Sequence, residues 1–85
     1  MNTQSKDDYI IIHVEDMLQV REELKKDLIA MGFHPQKIYQ VEDIFNFIQT
    51  VKDIKPNLII CDWNLPDGTG FDLLKKIKTI NSLKD

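Results

Sequence analysis

A chain of 85 residues with net charge −3 has room for one small hydrophobic core and not for two. Its basic residues are scattered, and Lys25-Lys26 and Lys75-Lys76 read as solvated helix faces, so the basic patch that nucleic-acid binding requires is missing. One cysteine, Cys61, excludes an internal disulfide, no apolar run approaches transmembrane length, and the polar start lacks a signal-peptide core; a cytoplasmic, membrane-free setting is expected.

Residues 1–8 read as a polar lead-in. Tyr9–Val14 is apolar nearly throughout, the pattern of a strand covered on both faces. The acid pair Glu15-Asp16 follows, and Asp16 is expected to cap a helix. Val20, Leu24, Leu28 and Met31 recur at helical spacing, and Gly32 is the stop signal. Pro35 lies in a loop, and Ile38–Val41 is a short second strand. Ile44, Phe47, Ile48 and Val51 form the apolar stripe of a helix over Glu42–Lys52. Lys55-Pro56-Asn57 turns the chain into a third strand, Leu58–Asp62. A Pro/Gly-rich turn comes next, and Phe71, Leu74 and Ile77 mark a last helix that fades near Asn81-Ser82. Strands alternating with helices imply right-handed crossovers and a parallel sheet, hence an α/β fold.

The run Leu58-Ile-Ile-Cys-Asp62-Trp-Asn-Leu-Pro66-Asp-Gly-Thr-Gly70 carries most of the chemistry. It sets Asp62 at the carboxyl end of a strand, the edge where open α/β sheets bind ligands. If the first and third strands are neighbours, Glu15, Asp16 and Asp62 gather there. Clustered like charges are costly unless a cation or a proton sits among them. An all-oxygen cluster suits a hard cation such as Mg²⁺ and leaves one carboxylate free to react.

Plainer readings compete. A lone Asp after a strand is usually a turn or cap residue, and Glu15 taken alone reads as a solvated acid. His13, inside an apolar strand, reads as a satisfied core or edge histidine, His34 as a loop residue and Cys61 as a small buried hydrophobe. Trp63 is expected to be partly exposed beside the site. Rival motifs fail on spacing. Asp62-x-Asn64 starts like a calcium loop, but Pro66 holds the fifth place, Gly68 falls one late and Leu73 stands where Glu is required. Gly68-x-Gly70 starts like a dinucleotide fingerprint, but Leu73 replaces the third glycine, and there is no Walker A sequence. His13-Val-Glu15 lacks the Cys-x-x-Cys of a zinc deaminase, and Asn64 stands where aspartyl-phosphate phosphatases carry a second Asp.

Three segments, taken jointly and in this order, match one family: Val14-Glu15-Asp16, Cys61-Asp62-Trp63-Asn64-Leu65-Pro66 and Gly70-Phe71-Asp72-Leu73-Leu74. The chain resembles the receiver domain of bacterial two-component response regulators, most closely the chemotaxis type. The resemblance implies a flavodoxin-like, doubly wound parallel sheet of strand order 2-1-3, with only the N-terminal βαβαβα part present. Residues 9–85 would then be a C-terminally truncated receiver without the fourth and fifth strands and helices. The family's Ser/Thr and Lys have no matching position. The resemblance further implies that Asp62 accepts a phosphoryl group from a histidine kinase or phosphotransfer protein. Mg²⁺ would be held by Glu15, Asp16, Asp62 and the backbone carbonyl of Asn64, whose side chain faces the phosphoryl group. Met17, Trp63, Pro66 and Gly70 would border the pocket, Pro66 stiffening the loop and Gly70 allowing a tight turn into the helix. Such a chain is a phosphoryl-accepting signalling domain rather than an enzyme, with metal binding retained and phosphorylation impaired. The alternative is a non-catalytic interaction module that dimerises through the open sheet edge or face. A third option is an aspartyl-phosphate hydrolase.

Overall fold

The computed structural model describes residues 5–80, so the fading of the last helix near Asn81-Ser82 lies outside the described residues. The elements in order are β1 (Ile11–Val14), α1 (Leu18–Ala30), β2 (Ile38–Val41), α2 (Ile44–Val51), β3 (Leu58–Cys61), β4 (Asn64–Leu65), β5 (Gly68–Thr69) and α3 (Gly70–Ile77). The three long strands form a parallel sheet of order β2-β1-β3, as the resemblance implies. β4 and β5, not foreseen in the sequence, make a small antiparallel hairpin with Pro66-Asp67 at its turn.

Period-two alternation splits the core across the sheet. Ile12 and Val14 of β1 pack with Ile44, Phe47 and Val51 of α2 and Leu73 of α3 on one face. Ile11 and Ile38 pack with Leu28 of α1 on the other. The stripe expected along α1 is only partly used: Leu28 is buried and Leu24 half-buried, but Val20 and Met31 are exposed. A run at four-residue spacing drifts round the helix, so only its middle meets the sheet.

Helix ends follow local chemistry. After α1, Gly32 takes φ +105° while its N–H bonds the Ile29 carbonyl and the Phe33 N–H bonds that of Leu28. This is the paired closure in which glycine is favoured. At the start of α1 the residue in capping position is Met17, with no side-chain cap bond. The expected cap by Asp16 is therefore not made; its carboxylate is turned into the acid cluster instead. α2 begins at Asp43, whose side chain accepts from the Asn46 N–H at 2.8 Å, and Asp67 reaches over from the hairpin turn to accept from the Ile44 and Phe45 N–H groups at 2.9 and 3.0 Å. α3 opens with a reciprocal capping box between Thr69 and Asp72.

Candidate functional site

The register of β1 on β3 builds the site. Val14 pairs with Cys61, so the residues that follow, Glu15 and Asp62, emerge side by side at the carboxyl edge of the sheet. The Asp62 N–H donates to the Val14 carbonyl at 3.1 Å, and the Glu15 N–H to the Val41 carbonyl at 2.9 Å. Both acids are thus pinned by backbone bonds that continue the sheet ladder.

Carboxylate oxygens of Glu15, Asp16 and Asp62 lie within 4.8 Å of one another. Glu15 is 5% exposed, which corrects its reading as a solvated acid. Its Oε2 accepts from the Met17 N–H at 3.2 Å. Burial pushes the Glu15 carboxyl above its usual range; the Met17 amide opposes the rise, and the negative charges of Asp62 and Asp16 add to it. Asp16 and Asp62 face solvent, and Asp62 Oδ1 accepts from the Trp63 N–H at 2.9 Å, which fixes the rotation of its carboxylate. Three converging carboxylates, one of them desolvated, form a donor set that fits a hard divalent cation.

A layer of polar groups behind the acids was not anticipated from sequence. Arg21 Nη1 donates to the Glu15 carbonyl at 2.8 Å, and Nη2 approaches Glu42 at 3.7 Å. The Gln40 Nε2 donates to the Arg21 carbonyl at 2.7 Å and to His13 Nδ1 at 3.1 Å. A carbonyl only accepts, so the Gln40 amide must present its NH₂ group there, and His13 Nδ1 must accept. His13 is therefore the Nε2–H tautomer. Burial lowers its basicity, the nearby Arg21 lowers it further, and Asp62 works in the opposite sense. This is the satisfied histidine the apolar strand implied. The one available signal for Arg21 was its place on the sheet-facing side of α1.

Met17 follows the acid pair and Trp63 follows Asp62 in the chain, and both are exposed, Trp63 at 61%. Asn64 begins β4 with its side chain exposed, and Pro66 occupies the hairpin turn. The role expected of Gly70 belongs to another residue. Gly70 has no positive φ; it opens α3 against the site strand, its N–H donating to the Trp63 carbonyl at 2.7 Å, and a Cβ there would stand 3.2 Å from the Asp62 carbonyl. The turning glycine is Gly68, at φ +155°. Cys61 is half-buried and burial raises its thiol above the ordinary value, consistent with an apolar role.

No described helix is long and apolar enough to cross a membrane. Residues 11–84 match the family described as the response regulator receiver domain. The phosphate regulon transcriptional regulatory protein PhoB of Escherichia coli is 32% identical over 75 residues, covering 88% of this chain and 31% of that protein. The chemotaxis protein CheY-3 of Vibrio cholerae is 30% identical over 74 residues, covering 87% of this chain and 55% of its own length. The crystal structure of the receiver domain of a signal transduction histidine kinase from Syntrophus aciditrophicus superposes with a TM-score of 0.78 at 27% identity, over 87% of this chain and 54% of that one. The chain thus spans from about a third to just over half the length of these proteins. With the sheet order, the acid edge and the family match in agreement, the chain belongs to the response regulator receiver family.

Proposed function

We propose that Asp62 accepts a phosphoryl group from the phosphohistidine of a histidine kinase or phosphotransfer protein, in the cytoplasm, with Mg²⁺ at the acid cluster. The reading rests on one observation above the others: Glu15, Asp16 and Asp62 converge within 4.8 Å at the sheet edge. A carboxylate oxygen of Asp62 forms the new P–O bond, the donor's P–N bond breaks, and the imidazole nitrogen keeps the electron pair and takes up a proton. The Trp63 N–H already holds Oδ1 of Asp62, which leaves Oδ2 to attack. Glu15 and Asp16, with the backbone carbonyl of Asn64, would hold the cation. When bound, it offsets the charge that gathers on the phosphoryl oxygens. Met17, Trp63 and Gly70 border the approach, and the Asn64 side chain faces the incoming group.

Residues 9–85 act in this reading as a partial receiver. Intact mass after incubation with acetyl phosphate and Mg²⁺ tests it. One phosphoryl adduct, absent from Asp62→Asn and from a sample kept in chelator, is the expected result. No adduct on a chain with intact circular dichroism overturns acceptance and leaves metal binding as the function of the cluster.

A further inference from the structure

We propose that Arg21 is a positioning residue for the metal site: its guanidinium holds the peptide that joins Glu15 to Asp16, and so sets the angle at which the two carboxylates meet. The inference rests on reading the acid cluster as a Mg²⁺ site, and adds to it a residue that acts through the backbone of the ligands.

The sheet ladder stops just short of the acids. The Glu15 N–H donates to the Val41 carbonyl at 2.9 Å. In a parallel ladder the amide two residues further along the partner strand would donate back to the Glu15 carbonyl. That amide belongs to Asp43, but β2 ends at Val41 and Asp43 serves instead as the N-cap of α2. Arg21 Nη1 fills the place, donating to the Glu15 carbonyl at 2.8 Å. This carbonyl is half of the peptide unit between the two acids. The unit is planar, so fixing its carbonyl fixes where the Asp16 Cα lies.

The turn from β1 into α1 has few other restraints. Met17 holds the capping position with no side-chain cap bond, and its N–H donates to Glu15 Oε2, an oxygen of the cluster itself. Arg21 is better anchored. Its side chain is 14% exposed, Nη2 approaches Glu42 Oε1 at 3.7 Å, and its carbonyl accepts from Gln40 Nε2 at 2.7 Å. Two nitrogens of one planar group thus tie the acid-bearing turn to the end of β2, a span that the single ammonium of a lysine does not match.

Charge alone would give Arg21 the opposite effect. A guanidinium beside an acid cluster repels an incoming cation, and Arg21 is near enough to lower the basicity of His13. If repulsion were its main influence, removing it would tighten Mg²⁺ binding. If it holds the backbone of the ligands, removing it weakens binding, as loss of a group that orients metal ligands does, by about ten- to a hundredfold.

The sign of the change is read by titrating the full chain with Mg²⁺ and following backbone amide shifts by NMR. Arg21→Met should raise the Kd for Mg²⁺ about ten- to a hundredfold. Arg21→Lys, which keeps the charge and loses the fork, should raise it at least about threefold. Lys26→Met, which removes an exposed charge from the same helix, should leave it unchanged. A merely structural role would lower the melting temperature in chelator and leave the Kd of the folded chain alone. A folded Arg21→Met or Arg21→Lys chain that binds Mg²⁺ as tightly as the unaltered one, or more tightly, overturns the proposal. An equal loss in Lys26→Met traces the effect to net charge and overturns it too. An unaltered chain that binds no Mg²⁺ removes the metal reading and this proposal together, a result distinct from both. Should Arg21→Met fail to fold, Arg21→Lys decides alone.

Discussion

At the scale of single residues, protonation explains most of what is unusual. His13 has a folded basicity below its ordinary value, because burial and Arg21 disfavour its cation. The stability it contributes is complete above the ordinary histidine range, about pH 6.5, and falls away as the pH drops from there through the lower folded value. Replacing it with a neutral amide, His13→Gln, should flatten the acid side of a melting-temperature profile measured from neutral pH downward. Glu15 has the opposite sign. Its carboxyl is raised in the fold, so its contribution is present at acid pH and lost as the pH climbs through the raised value. At neutral pH it is therefore a local cost that a cation offsets. Glu15→Gln should melt a few degrees higher than the unaltered chain in chelator. It should also lose most of the melting-temperature rise that millimolar Mg²⁺ gives the unaltered chain. Equal Mg²⁺ responses in the two proteins would detach Glu15 from the metal. The acids were legible in the sequence because they end apolar runs. Their different surroundings were not, because burial of Glu15 depends on where β2 and α1 lie, and Arg21 and Gln40 meet only after the sheet is assembled.

At the scale of elements, the segment after the site strand is the informative one. Asp67 accepts two backbone N–H groups of α2, and both would lose their partner in Asp67→Ala. A helix-cap deletion of this kind costs about 1–2 kcal/mol, which urea denaturation resolves as a lower midpoint at unchanged slope. Gly68 is restricted twice over. Its φ of +155° is unfavourable to other residues, and a Cβ would stand 2.8 Å from Ile44 Cδ1. Gly68→Ala should therefore destabilise by roughly 1–3 kcal/mol, and a neutral result by the same denaturation would show that the hairpin is free to shift. β2 was read over its full length, Ile38–Val41, because a short strand-prone run between the Pro35 loop and the next helix needs no tertiary information. The β4–β5 hairpin was not read. Two-residue strands have no periodicity, and the turn signals that hide them also announce an ordinary loop. The N-terminus of α1 misled for a related reason: an acid before a helix is a cap by local statistics, and here the electrostatic cluster took it.

At the scale of the whole molecule, the strand order and the family were readable because they rest on the joint spacing of several motifs. One connection within the single chain reaches further than its size suggests. Asp62 holds the amide of Trp63, Trp63 leads into the hairpin, and Asp67 at the hairpin's turn holds the first amides of α2. The first turn of α2 is thereby tethered to the strand end that carries the reactive acid. The exchange lifetimes of the Ile44 and Phe45 amide protons are therefore a remote gauge of any event that disturbs Asp62, legible without a label and without touching the site.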